Sequence, residues 1–280
     1  MKIQSGHINI NAEYYSEIKP GLEYLFLIHG FTGSSNDWHA ETVSGQSICS
    51  QLDERFNKIS IDLIGHGKSD SPNDTQFYNS DSVAQQIHDV ISSFTQKKVV
   101  VAGYSLGGRA ALAFAVKFHE KLKGLILESA SAGLKKQNEK KLRIESDEKL
   151  AEFILQNDTS TFLTKWMDQE LFGTLKRFSN SRIEELKKSR LHNKPQALAN
   201  SLRGFGLGVM PYFGDHLGEL NFPVLLLSGQ LDSKFTKLNV QMQKQFKNAK
   251  HSVIQNSGHN IHLEETKKYI NAVNKFLKQI

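Results

Sequence analysis

Apolar residues fall into short runs along the chain, separated by stretches long enough for helices. Residues 24–29, 59–63, 99–103 and 122–128 are such runs, and their alternation with helix-length segments predicts a parallel sheet covered by helices. Val99-Val100-Val101-Ala102 is apolar throughout, as a strand covered on both faces has to be. Between the second and third runs, Val83, Ala84, Ile87, Val90, Ile91 and Phe94 fall on one helical stripe. Ser82 and Gln85 are spaced to form its capping box.

After Glu128 the strand rhythm stops. Residues 131–213 read as helices with polar connectors, rich in Lys, Glu and Arg, and strand-like sequence returns at 222–228 and near 251–255. A last helix turns Tyr269, Ile270, Val273, Phe276, Leu277 and Ile280 inward. Glu264 and Glu265 near its start and Lys275 and Lys278 near its end suit the helix dipole. The pattern predicts an α/β core in two parts, residues 1–130 and 214–280, interrupted by a helical cap at 131–213. No internal repeat or low-complexity linker breaks it further.

Composition narrows the class. At 280 residues the chain can build one core with an insertion, and 39% hydrophobic with 23% charged residues excludes a disordered or fibrous chain. The first residues lack the apolar stretch of a secretion signal, and the apolar runs are too short to cross a bilayer. A cytoplasmic protein without membrane association is expected. The single cysteine, Cys49, excludes an intramolecular disulfide and a cysteine-rich metal site, and a packing role is expected for it.

Net charge is +6, and its distribution is uneven: residues 131–213 hold 15 Lys and Arg against 10 Asp and Glu, the rest 20 against 19. A basic stretch can serve nucleic acid, but no nucleic-acid motif or interleaved aromatic pattern accompanies this one. An anionic small molecule under a basic lid fits the same charge, and the chemistry at the strand ends favours it.

Gly103-Tyr104-Ser105-Leu106-Gly107 is G-x-S-x-G between a buried strand and a helix-like stretch at 109–119, the context that gives the motif meaning. The turn is tight enough to need glycines, and it presents the Ser105 hydroxyl at a helix N-terminus, which favours negative charge. Asp232 stands just beyond the strand ending near Ser228, and His259 just beyond the last strand. All three therefore lie at the sheet edge where open α/β sheets bind ligands. Alone, Asp232 reads as a turn residue and His259 as a surface histidine; in this order they make a serine–histidine–acid set. His262, three residues on, could pair with His259 on a metal, but no third ligand accompanies them. His29-Gly30-Phe31 follows the first strand, so the N–H groups of Phe31 and Leu106 are the expected oxyanion donors. The His29 side chain is expected to shape that loop.

These features resemble the α/β-hydrolase family over nearly the whole chain. His29-Gly30-Phe31-Thr32-Gly33-Ser34 with Trp38, and Asp62-Leu63-Ile64-Gly65-His66-Gly67-Lys68-Ser69, add to the likeness. Ile64 departs from it, since the family pattern has a turn-stiffening proline there. The resemblance implies an α/β-hydrolase fold, with a mostly parallel central sheet flanked by helices and the cap inserted after the strand ending near Glu128. More selective stretches are Gly103-Tyr104-Ser105-Leu106-Gly107-Gly108-Arg109, Leu231-Asp232-Ser233-Lys234-Phe235 and Gly258-His259-Asn260-Ile261-His262-Leu263-Glu264. With Arg143, Trp166 and Arg190 in the cap, they resemble the 2-succinyl-6-hydroxy-2,4-cyclohexadiene-1-carboxylate synthases of menaquinone biosynthesis.

That resemblance implies a lyase. Ser105, activated by His259, would take a proton beside the substrate's succinyl ketone, and pyruvate would leave. Asp232 would orient His259, the Phe31 and Leu106 amides would hold the enolate oxygen, and no metal or organic cofactor would be needed. The substrate carries three carboxylates. Arg109, one helical turn after Ser105, can clamp one bidentately; Arg143 and Arg190 are candidates for the others, with Tyr104 and Trp166 as walls. For each arginine the alternative is an ordinary ion pair or solvated face. A carboxylesterase, a thioesterase or a carbon–carbon bond hydrolase would share the triad, and a ligand-binding protein could reuse the scaffold.

Overall fold

The computed structural model describes residues 1–42 and 45–280. At its centre is an eight-stranded sheet in the order β1-β2-β4-β3-β5-β6-β7-β8. The strands are β1 (Lys2–Ser5), β2 (Ile8–Tyr14), β3 (Glu23–Ile28), β4 (Phe56–Ile61), β5 (Val99–Tyr104), β6 (Leu122–Glu128), β7 (Val224–Gly229) and β8 (Ala249–Ile254). From β4 to β8 every pairing is parallel. β5 and β7 are buried at every position, which accounts for their unbroken apolar sequence.

The hairpin β1–β2 was not foreseen from the sequence. It adds to the edge of the sheet antiparallel, β2 against β4, and Gly6 takes φ +60 in its two-residue turn. Its strands expose part of one face and mix polar with apolar residues, so no continuous apolar run announces them.

Side chains alternate across the sheet. Phe26, Ile28, Val99, Val101, Leu125 and Leu127 join one core, together with Val83, Ile87, Ala110 and Phe114 from the helices. Leu25, Leu27, Val100, Ala102 and Ile126 join the other, with Trp38, Cys49 and Tyr269. Cys49 is buried there as a free thiol.

Two single turns, α1 (Asn36–His39) and α2 (Ile48–Gln51), precede α3 (Ser80–Phe94) and α4 (Leu106–Lys117). α3 buries the expected stripe, but its cap differs from expectation. Asn79, in extended conformation, accepts from Ser82 N–H at 2.9 Å, a cap position asparagine suits well. Ser82 therefore lies inside the helix, with its hydroxyl on Gln76 O. The turn containing Ile64 stays tight without proline, because Asp62 accepts from the backbone of Ser35 and Lys68 at 2.5 and 2.8 Å.

Between β6 and β7 lie α5 (Gln137–Gln156), α6 (Thr159–Met167), the 3₁₀ segment Glu170–Arg177, α7 (Asn180–Lys188) and α8 (Pro195–Phe205). They build a small core of their own from residues such as Ala151, Ile154, Phe162, Leu198 and Leu202, against which Phe31 and Trp166 pack. After β7 come α9 (Ser233–Gln245), α10 (Ile261–Glu264) and α11 (Thr266–Leu277). α11 buries Tyr269, Ile270, Val273, Phe276 and Leu277.

Candidate active site

β5 passes into α4 through Ser105, which is held at φ +50, ψ −104. A side-chain-bearing residue pays about 1–3 kcal/mol for such a conformation. The glycines around it are dictated by space. A Cβ on Gly103 would run into the Gly107 backbone, and one on Gly107 into the carbonyls of Ile28 and His29. The turn is fastened by Ser105 N–H to Glu128 O at 2.9 Å and Arg109 N–H to Ser105 O at 3.1 Å.

Asp232 and His259 arrive from the ends of β7 and β8. One Asp232 oxygen accepts from Phe235 N–H at 3.1 Å and so caps α9; the other lies 2.7 Å from His259 Nδ1. A carboxylate can only accept, so Nδ1 carries the proton and Nε2 turns its lone pair toward Ser105 Oγ, 3.0 Å away. The rings of Phe235, Tyr104 and Phe172 surround the imidazole at 4.6, 5.5 and 6.0 Å between centroids, and His259 is only 2% exposed. The hydroxyl, the base and the orienting acid thus form one continuous hydrogen-bonded relay.

The loop after β3 turns sharply, with Gly33 N–H on Gly30 O at 3.0 Å and Thr32 at φ +68. Among the described residues, no hydrogen bond uses the N–H of Phe31 or of Leu106, and Leu106 opens α4, where amides lack helical acceptors. Both residues line the cavity at Ser105. His29 supports the loop: Nδ1 lies 2.7 Å from Gly30 O, and Nε2 accepts from Leu63 N–H at 3.0 Å. That pairing fixes a neutral ring, and burial pushes its pKa down. Next to it His66, buried and beside His29, is lowered to about 3.

The cavity at Ser105 measures about 100 Å³ and is bordered by Tyr104, Phe31, Trp166, Phe172, Arg109, Arg143 and Lys234. Arg109 donates to Phe205 O at 2.7 Å and lies over the Phe205 ring at 5.4 Å. Among the described residues no carboxylate forms an ion pair with it. Burial, then the charge of Arg143, lowers its pKa to about 9, so it keeps its proton near neutrality. Arg143 also reaches the cavity but is held by Asp147 at 2.7 Å. Burial raises the Asp147 pKa despite that partner.

Arg190 departs from expectation. It does not border the cavity at Ser105; it lines a smaller adjoining one, behind Phe31 and Trp166. Its guanidinium is taken by Asp37 at 3.3 Å, Leu186 O and Ser189 Oγ. Arg190 lies in the turn just after α7 and Asp37 sits on α1, so the acid that claims it is 153 positions away in sequence.

Several lining residues were not foreseen, among them Phe172, Lys234 and Ser129. Lys234, exposed at the rim, stands two residues after Asp232, and that closeness was the available signal. Ser129, buried at φ +48 just after β6, has a hydroxyl with no partner; nothing in its sequence context marks it. His262 Nδ1 pairs with the buried Glu128 at 2.8 Å. Among the described residues, no cluster of three potential ligands could hold a metal ion, and no helix is long and apolar enough to cross a membrane.

The sequence profile of the alpha/beta hydrolase fold family matches residues 24–266. The chain is 33% identical to a putative 2-succinyl-6-hydroxy-2,4-cyclohexadiene-1-carboxylate synthase of Bacillus subtilis, over 92% of this chain and 91% of that one. It is 31% identical to the 2-succinyl-6-hydroxy-2,4-cyclohexadiene-1-carboxylate synthase of an Enterobacter strain, over 88% of each. Among solved structures, MenH from S. aureus superposes with a TM-score of 0.88 at 28% identity, covering 96% of this chain and 98% of that one.

Proposed function

This chain belongs to the α/β-hydrolase family and, within it, to the 2-succinyl-6-hydroxy-2,4-cyclohexadiene-1-carboxylate synthases, and we propose that it makes that product by eliminating pyruvate. The substrate is the corresponding 3-cyclohexene bearing a 5-enolpyruvyl ether. The observation that carries the proposal is the pairing of an intact Ser105–His259–Asp232 relay with a guanidinium, Arg109, that forms no ion pair with an acid among the described residues. A relay alone would serve any ester. A partly buried free cation beside it asks for an anionic substrate.

In this reading Ser105 Oγ takes the proton from the ring carbon next to the succinyl ketone while His259 Nε2 takes the serine proton. Asp232 stabilises the imidazolium that forms. The electron pair becomes an enolate whose oxygen is held by the amides of Phe31 and Leu106. As the enolate collapses, the ring double bond shifts and the carbon–oxygen bond to the enolpyruvyl group breaks. Pyruvate leaves as its enol form after taking the proton back from His259. Arg109 and Arg143 hold substrate carboxylates, with Lys234 at the rim, and Tyr104 and Trp166 are walls. Trp166 and Phe172 border the cavity that receives the substituted ring.

The test is pyruvate release from freshly prepared enolpyruvyl substrate by the wild type and by Ser105→Ala. The expected result is rapid release by the wild type, a fall of about 10⁴-fold or more in the variant, and feeble turnover of simple esters. Release no faster than the spontaneous background overturns the reading and leaves ester and carbon–carbon hydrolysis to be tried.

A further inference from the structure

Ser129 is a polar residue that the relay and the oxyanion amides leave unused. It follows β6 directly, its N–H donates to Leu227 O at 2.8 Å, and its backbone is held at φ +48. Its two neighbours clamp it beside the nucleophile. Glu128 O takes the Ser105 N–H, and a Cβ on Gly108 would run into the Ala130 methyl. The Ser129 side chain is fully buried, borders the cavity at Ser105, and has a hydroxyl without a hydrogen-bond partner. Among the described residues that border this cavity, no other has a buried side-chain polar atom left unpaired.

Both properties are unfavourable in the folded chain alone. A positive φ disfavours any side chain relative to glycine, and a buried hydroxyl without a partner bears the full cost of leaving water. Alanine would avoid the second and glycine both. A serine kept on these terms at the wall of a catalytic cavity calls for a partner that arrives with the ligand. The other polar groups of the wall narrow what that partner is. Arg109, Arg143 and Lys234 are cations and match carboxylates, while the Phe31 and Leu106 amides match the ketone oxygen. Ser129 is neutral and can donate and accept at once. Besides its carboxylates and ketone, the substrate carries one neutral group that does the same, the 6-hydroxyl of the ring.

We propose that Ser129 is a specificity-determining residue, whose hydroxyl pairs with the ring hydroxyl of the substrate and so selects 6-hydroxylated rings. With the natural ring bound, both hydroxyls are satisfied; with a ring lacking the group, Ser129 stays unpaired. A wall that pairs with an alcohol discriminates against the deoxy analogue for that reason. The inference rests on the synthase reading and names the part of the substrate that this wall recognises.

The test compares the wild type with Ser129→Ala and Ser129→Gly in the full chain, on the natural substrate and on its 6-deoxy analogue. The wild type should prefer the natural substrate about tenfold or more in kcat/KM. Ser129→Ala should lose about tenfold on the natural substrate and stay within about twofold on the analogue, so that the preference collapses. Ser129→Gly frees the backbone as well, and should show the same collapse with Tm at or above that of Ser129→Ala. Lost recognition is thereby separated from lost folding, and either variant alone carries the test. A preference unchanged in the variants, or an equal loss on both substrates, overturns the proposal. Calorimetric binding of 2-succinyl-6-hydroxy-2,4-cyclohexadiene-1-carboxylate, which keeps the ring hydroxyl, tells the two readings apart. A wild type that neither releases pyruvate nor binds this product sinks the synthase reading and this inference with it. Binding that is as tight in Ser129→Ala as in the wild type sinks this inference alone.

Discussion

Arg109 on α4 and Arg190 beyond α7 look alike in sequence, each a basic residue on a helical stretch near the candidate site. The structure treats them in opposite ways. Arg109 rests on a ring and a carbonyl with no acid beside it, whereas Arg190 is claimed by Asp37 and by its own helix end. Arg143 stands between, reaching the cavity while bonded to Asp147. The core fixes its arginine by geometry, because four residues after a serine at a helix start is the same face one turn on. The cap offers no such rule. Whether one of its arginines faces a ligand depends on which distant acid folds against it.

The contrast can be broken most directly at Arg109. Arg109→Ala should lower kcat/KM about 100-fold, mostly through KM, since a charge-assisted bond to a carboxylate contributes about 1.5–3 kcal/mol. Melting should barely change, because no acid is orphaned, and Arg109→Lys should restore little, lacking the planar fork. Pyruvate-release kinetics within about threefold of the wild type would erase the distinction. Arg190→Ala should do the reverse. It leaves the mostly buried Asp37 without its cation, so about 2 kcal/mol of stability is lost while kcat and KM stay within about twofold. A urea titration beside the same kinetic assay separates the two effects, and a large KM change would return Arg190 to the substrate.

What could be read from the sequence follows the same division. Parallel strands buried on both faces are nearly pure Val, Leu and Ile, so β5 and β7 announced themselves, and the glycines of the elbow marked where the backbone had no room. Asp232 and His259 could be placed at one edge because each follows a strand. The β1–β2 hairpin was hidden, since an edge strand keeps polar residues on its open side. Asn79 outcompeted the Ser82–Gln85 box, a choice set by where the preceding chain turns. Ser129 was illegible for a deeper reason. Its hydroxyl has no partner among the described residues, so no spacing or pairing in the sequence points to it.

Ser105 itself carries a cost that the fold sustains. At φ +50 the backbone there resists every residue except glycine, so the position is a point where function has been kept against stability. Ser105→Ala and Ser105→Gly remove the same hydroxyl, yet only glycine releases the strain. The glycine variant should melt above the alanine variant by an amount worth about 1 kcal/mol. The difference between the two variants would measure the strain that the surrounding sheet holds in the elbow.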